Sequence, residues 1–107
     1  MQWSVEILND TVAAEIRALP DDMHARFLRI ALQIEQAGLE TMRETQVKHL
    51  EGKLWEMRLM GRDGIARALY VTRLGRRVVV LRVFVKKTQK TPNSEIDIAK
   101  RRAKEII

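Results

Sequence analysis

Within the N-terminal third of the chain, the spacing of apolar residues changes from that of a strand to that of a helix. Residues 2–8 alternate apolar and polar side chains, which is the pattern of a half-buried strand. Residues 11–19 then carry apolar side chains at helical spacing, with Asp10 placed to cap the helix. A second helical stripe runs between Pro20 and Gly38. This part of the chain is therefore predicted to form a strand and a helical hairpin.

Period-two alternation returns in the second half of the chain and predicts three more strands. They span residues 53–60, 65–73 and 78–86, and short glycine-containing turns separate them. Residues 39–50 are polar with mixed signals, so we assign them to a loop. Pro92 ends the last strand, and the residues after it carry the apolar stripe of a final helix.

The predicted order of elements is βααβββα, which is typical of an α+β domain. Residues 1–107 are long enough for one domain with a modest core. We expect a two-layer arrangement in which a four-stranded, largely antiparallel sheet has all its helices on one face. The other face would then be left for water or a ligand.

Positive charge is concentrated in the middle of the chain. The formal net charge is +6, but residues 1–47 hold four basic and eight acidic side chains. Residues 48–90 hold twelve basic and three acidic side chains, and residues 91–107 hold four and three. A local excess of this size indicates a polyanionic partner such as a nucleic acid. The alternative is a surface that only keeps the protein in solution.

Strand alternation gathers charged side chains on one face of the predicted sheet. If the side containing Val79, Leu81, Val83 and Val85 packs on the helices, the opposite side faces solvent. Six residues can meet there: Glu56, Arg58, Arg67, Arg82, Phe84 and Lys86. Arginines could hold RNA phosphates, and an aromatic ring could stack on a base. Alternatively, Glu56 is a salt-bridge partner and Phe84 fills a gap beneath the last helix.

Other kinds of chemistry lack the residues they need. The chain has no cysteine, and its two histidines have no acidic companion at metal-ligand spacing, so we expect no metal and no cofactor. A lone histidine in the loop, His49, could still act as a general acid or base. No apolar run is long enough to span a bilayer and no export signal is present, so the expected location is the cytoplasm.

Two runs of sequence in the second half of the chain carry a family resemblance. They are HLEGKLWEMRLMGRDGIARALYV and VVVLRVFVKKTQKTPNSEIDIAKRRAKE. Both resemble the HigB branch of the RelE/ParE toxin superfamily, a group also described as phage Gp49-like proteins. The resemblance extends over essentially the whole chain, and its most specific part is residues 84–92.

The resemblance implies the toxin of a type II toxin-antitoxin pair. Such a toxin is an endoribonuclease that enters the ribosome, cuts messenger RNA and arrests translation. The RNA 2′-hydroxyl is the nucleophile and no metal takes part. The implied partners are the ribosome, messenger RNA and a HigA-like antitoxin with a helix-turn-helix domain, encoded beside the toxin gene.

The resemblance also implies which residues act. Arg67 matches an arginine on the central strand of RelE-type toxins, Arg58 matches a lysine, and Lys86 and Lys87 match paired lysines at the end of the last strand. Glu56 departs from the family pattern, because a basic residue is common there. The implied catalytic residues are Glu56, Arg58, Arg67, Lys86 and Lys87. The expected RNA-binding residues are Lys53, Arg82, Phe84 and Lys90.

Two alternatives keep the fold and drop the nuclease activity. A ParE-like toxin would inhibit DNA gyrase through protein contacts, and an inactive relative would only bind nucleic acid. The convergent arginines favour the nuclease. We further expect Arg58 and Arg67 to be exposed, so that alanine at either position leaves the fold intact.

Overall fold

The structure of the chain, a computed structural model, describes residues 2–86 and 89–107. Within these ranges, no helix is long and apolar enough to cross a membrane. The described elements, in chain order, are β1 (Ser4–Ile7), α1 (Asp10–Arg17), α2 (Asp21–Ala37), a 3-10 turn (Leu39–Thr41), β2 (Val47–Glu51), β3 (Leu54–Gly61), β4 (Gly64–Arg73), β5 (Arg77–Lys86) and α3 (Asn93–Ala103).

The strands form one mixed sheet with the order β1-β5-β4-β3-β2. β1 pairs with β5 in parallel, and the remaining pairs are antiparallel. The α+β class is therefore confirmed, but the sheet has five strands in the described residues and not four. The additional strand, β2, lies in the segment assigned to a loop. It is an edge strand with one neighbour, and its register shifts between His49 and Glu51, so its sequence does not alternate cleanly.

Both helices of the hairpin begin and end where local chemistry favours it. The side chain of Asn9 accepts a hydrogen bond of 3.0 Å from the backbone N–H of Val12, so Asn9 caps α1. The predicted cap, Asp10, is instead the first helical residue. α2 ends at Gly38, whose φ of 100° is a conformation that glycine adopts without a Cβ clash.

Helices cover both faces of the sheet. The first core cluster joins α1 and α2 to side chains such as Met57, Ala68 and Val80. The second cluster joins α3, through Ile96 and Ala99, to the opposite side of the same strands. The expectation that all helices lie on one face is therefore wrong. The prediction failed because the stripe of α3 shows only that one side is buried, and says nothing of the face on which it packs.

An irregularity in β5 changes the side on which its residues lie. Tyr70 pairs with Val80, whereas the preceding residue, Leu69, pairs with Arg82, so Leu81 is an extra residue in β5. Before this bulge, Val79 and Leu81 belong to the second cluster; after it, Val83 belongs to the first cluster. Val79, Leu81, Val83 and Val85 therefore do not form one side, contrary to the prediction.

Candidate nucleic-acid interface

The strand register brings two arginines next to each other. Arg58 of β3 is the direct partner of Arg67 of β4, and Arg67 is the direct partner of Phe84 of β5. Glu56 precedes Arg58 by two positions and therefore lies on the same face. The alternation predicted this grouping correctly. Like charges directly opposite each other on a sheet destabilise it, so the pair needs a compensating anion.

The carboxylate of Glu56 supplies that anion and is almost fully buried. Its Oε2 accepts a hydrogen bond of 3.3 Å from Nε of Arg58, and its Oε1 lies 3.5 Å from Nε of Arg67. The hydroxyl of Thr91, which follows β5, also donates to Oε1. We call Glu56, Arg58, Arg67 and Thr91 the Glu56 cluster. It joins two strands of the sheet to the chain segment that leads into α3.

Arg67 is buried in this cluster, with 1% of its surface exposed. Its Nη2 donates a hydrogen bond of 2.6 Å to the backbone carbonyl of Gln89. The expectation that Arg67 is exposed is therefore wrong, because the segment containing Gln89 and Thr91 covers it. Sequence reasoning missed both of these residues. They lie outside any periodic element, and the one local signal is a threonine placed directly before Pro92.

Cationic side chains reach solvent beside the cluster. The side chain of Arg58 is 30% exposed, which leaves part of the guanidinium available to a ligand. Lys86 is half-buried on the same face, opposite Ile65, and Lys90 is exposed. Lys87, the other lysine of the predicted pair, lies outside the described residues. The described part of this face thus offers positive charge above a buried carboxylate.

Arg82 has a different environment. Its Nη1 lies 2.6 Å from Oε2 of Glu15 on α1, and its Nε lies 2.7 Å from Oε1 of Glu95 on α3. The hydrogen bonds that Arg82 donates to the carboxylates of Glu95 and Glu15, with that to Glu95 the largest cause, raise the pKa of Arg82 above its usual value. Arg102 of α3 also pairs with Glu15, at 2.9 Å. Two carboxylates compensate the charge of Arg82. Because they lie on α1 and α3, Arg82 connects both helices to β5.

Two further predicted RNA contacts, Phe84 and Lys53, do not lie open beside Arg58. Phe84 is 8% exposed and belongs to the core cluster that α3 covers, so it is not the open stacking surface that was expected. This is the alternative in which Phe84 fills space beneath the last helix. Lys53 is exposed, but it precedes Arg58 by five positions, which corresponds to about 17 Å along a strand.

The histidine considered as an acid or base lies at the β2–β3 turn. His49 Nε2 is 2.7 Å from the carbonyl oxygen of Gly52, and its ring is tilted against that of Trp55 with centroids 5.1 Å apart. The contacts of His49 thus belong to the hairpin and not to the Glu56 cluster. Across residues 2–86 and 89–107, no three His, Asp or Glu side chains are grouped so that they could hold a metal ion.

Comparison with known proteins identifies the family. A family model described as phage derived protein Gp49-like matches residues 14–104. The chain belongs to this family. A solved structure similar to this Gp49-like protein is a chain of the archaeal RelE–RelB complex from Pyrococcus horikoshii OT3. The TM-score is 0.59 at 22% identity, over 84% of this chain and 100% of that chain. No curated protein matches the sequence.

These matches confirm the resemblance drawn from the sequence. The matched family is the Gp49-like group expected from the sequence, and the similar solved structure has the expected RelE-like fold. At 22% identity the solved structure establishes the fold of this Gp49-like protein and leaves its activity to be argued from the site.

Proposed function

We propose that the protein is the toxin of a type II toxin-antitoxin pair, an endoribonuclease that cuts messenger RNA on the ribosome. The observation that carries this proposal is the convergence of Arg58, Arg67 and Glu56 on one face, with further cations at its rim. Membership of the Gp49-like family and the RelE-like fold support the toxin class. Cleavage uses the 2′-hydroxyl of the RNA as nucleophile and requires no metal.

This reaction defines what the protein must supply. The 2′-oxygen attacks the adjacent phosphorus, the 5′-oxygen of the next nucleotide leaves, and the products are a 2′,3′-cyclic phosphate and a 5′-hydroxyl. A proton leaves the 2′-oxygen and another reaches the leaving oxygen, while negative charge increases on the phosphate in the transition state. Positioned cations stabilise that charge, and this term is usually the largest in catalysis.

Arg58 is the residue that we assign to the phosphate. Its guanidinium is partly exposed, and Nε is held by the carboxylate of Glu56, so its orientation is fixed before RNA binds. A planar guanidinium can donate two parallel hydrogen bonds to a phosphate. Glu56 and Arg67 are each 1% exposed and act through Arg58 and through the segment that covers them. We therefore assign them as positioning residues.

The lysines after the bulge of β5 are assigned to the leaving group and the RNA backbone. Lys86 lies two positions after Phe84, on the same face as Arg58. An ammonium group there can neutralise the phosphate and donate a proton to the leaving oxygen. Lys87 remains the second candidate for this donor, and exposed Lys90 is proposed to contact the backbone. Arg82, with its two carboxylate partners, is assigned to the fold.

The proposed partner outside the ribosome is an antitoxin. The similar solved structure is a complex of RelE with RelB, so a protein of this fold occurs with a second protein bound. We propose that an antitoxin encoded beside this gene neutralises the protein, and that it is HigA-like with a helix-turn-helix domain.

The test compares messenger-RNA cleavage by the wild type, Arg58→Ala and Arg26→Ala. Arg26 is an exposed cation on α2 and controls for the loss of one positive charge. With purified ribosomes and a defined messenger RNA, the wild type should produce new ends within the codons being read. Arg58→Ala should cleave about 10²–10³-fold more slowly, as expected for one lost transition-state contact. Arg26→Ala should cleave normally.

Two results would overturn the proposal. One is a wild-type protein that arrests growth without changing RNA ends while DNA supercoiling is disturbed, which would indicate a ParE-like gyrase inhibitor. The other is an Arg58→Ala variant that cleaves as fast as Arg26→Ala, which would remove Arg58 from the site.

A further inference from the structure

A preformed pocket lies on the sheet face opposite the Glu56 cluster. It has a volume of about 400 Å³ and lies between the sheet and the 3-10 turn that follows α2. Three aromatic residues line it: Trp3, Trp55 and Tyr70. Trp55 and Tyr70 are direct cross-strand partners, and Tyr70 belongs to the cluster packed by α1 and α2. A volume of this size is typical of a site that encloses a side chain or a small ligand.

The charged side chains of this pocket are acidic. Glu40 and Glu44 line it from the 3-10 turn and the residues just after it. Neither carboxylate takes part in an ion pair within residues 2–86 and 89–107. The pocket thus contrasts with the other face of the sheet, where Glu56 is compensated by two arginines.

Trp3, one of the aromatic residues of the pocket, has a polar atom that does not reach solvent. The indole Nε1 of Trp3 is buried and makes no hydrogen bond within the described residues. Burial raises the pKa of Tyr70 above its usual value, so its ring stays neutral near neutral pH. The pocket therefore combines neutral aromatic rings and apolar side chains with two carboxylates at its edge.

We propose that this pocket binds a lysine or arginine side chain from a basic segment of a protein partner. Aromatic rings attract cations through their negative faces, and the two carboxylates add direct charge attraction. The aromatic and apolar lining suits the alkyl stem of a lysine or arginine, and the two carboxylates favour its cationic end over an anion.

The distribution of charge favours this occupant over RNA. Although the whole chain carries +6, residues 1–47, which contain both glutamates, hold four basic and eight acidic side chains. A phosphate chain would be repelled here, whereas a basic peptide would be attracted locally. Because neighbouring Trp55 and Glu56 point to opposite faces, the pocket can be occupied while RNA is bound at the other face. The inference does not depend on the nuclease activity.

Intrinsic fluorescence reports directly on the pocket, because the chain has two tryptophans and both line it. The full-length protein is titrated with a short capped peptide that carries one arginine among glycine and serine residues. A matched peptide carries norleucine in place of arginine. We expect the arginine peptide to shift the emission saturably, and the norleucine peptide to bind at least about tenfold more weakly.

Variants then test the carboxylates. The double variant Glu40→Gln/Glu44→Gln should bind the arginine peptide about tenfold more weakly. Asp97 is an exposed acidic residue of α3, and Asp97→Asn should bind the peptide as the wild type does. Equal binding of the two peptides, no response to arginine, or an unaffected double variant would each overturn the inference. The double variant should cleave messenger RNA normally, and Arg58→Ala should keep the fluorescence response, so the two proposals can fail separately.

Discussion

Replacing Arg67 by methionine should destabilise the protein strongly, although Arg67 lies in the candidate site. Arg67 and Glu56 are each 1% exposed, their Nε and Oε1 are 3.5 Å apart, and Arg67 also donates to Gln89. Removing one partner of a buried ion pair leaves the other charge uncompensated, at a cost of about 3–5 kcal/mol. We expect the lower end, about 3 kcal/mol, because Arg58 and Thr91 still contact Glu56. Methionine fills most of the volume and limits the cavity term.

The matched variant is Arg58→Ala, whose side chain is 30% exposed and which should lose less, about 1–2 kcal/mol, because Arg67 still compensates Glu56. Urea unfolding followed by circular dichroism gives both free energies, with an unchanged slope as the check for two-state behaviour. Thermal unfolding should show a melting temperature roughly 12 °C or more lower for Arg67→Met, at about 4 °C or more per kcal/mol.

A second substitution tests the physical cause. If the cost comes from the orphaned charge, then Glu56→Gln added to Arg67→Met should recover part of the lost stability, because no buried carboxylate remains. The reasoning would be refuted if Arg67→Met lost less than about 1 kcal/mol, or if the double variant were less stable than Arg67→Met alone. Loss of activity in Arg67→Ala could result from loss of the fold. Arg58→Ala is therefore the variant whose loss of activity reports on the site.

Three other expectations concern stability. Thr91→Val removes the hydroxyl that donates to buried Glu56 and should cost about 1–3 kcal/mol in urea unfolding. Arg77, chiefly through its hydrogen bonds, lowers the pKa of Glu6 below its ordinary 4.5. The stability that this pair adds to the folded protein is therefore present above that value and is lost as the pH falls through the lowered pKa. Glu6→Gln should therefore flatten the acid limb of melting temperature against pH, and an unchanged limb would contradict this. Gly61→Ala would place a Cβ 2.7 Å from a methionine side chain of α2 and should cost about 1–3 kcal/mol, measured by thermal unfolding.

The elements with strong periodicity were predictable from the sequence. The three strands predicted at 53–60, 65–73 and 78–86 correspond to β3, β4 and β5, and the helical hairpin ends at Gly38 as expected. In these segments local preference and burial agree, because each strand has two neighbours and each helix buries one stripe.

Neither the edge strand β2 nor the bulge in β5 was predictable from the sequence, and the two reasons are opposite. β2 has too few buried positions to show a period, since Lys48 and His49 are both exposed. In β5 the run from Val78 to Leu81 is apolar at every position, so one extra residue leaves no trace in the pattern. Both cases depend on strand pairing, which a single segment does not encode.

The candidate site was likewise predictable only in part from the sequence. Alternation placed Glu56 and Arg58 on one side of β3, because it requires only the parity of positions along a strand. That Arg67 shares this face depended also on the register, which pairs it with Arg58. Their exposure could not be predicted, since it depends on the course of the segment that carries Gln89 and Thr91. The burial of Phe84 likewise depends on where α3 packs.

The contacts between the sheet and the segment after β5 bear on when the protein becomes active during its own synthesis. Glu56, Arg58 and Arg67 emerge from the ribosome well before Thr91, which bonds to Glu56. β1 can join the sheet only after β5 has emerged, because Ser4 pairs with Arg77. A nascent chain that ends within β5 lacks the Thr91 hydroxyl that bonds to Glu56 and the Gln89 carbonyl that bonds to Arg67. Under the proposed function, the ribosome making this protein is thus exposed to an incomplete site until nearly the whole domain has been translated.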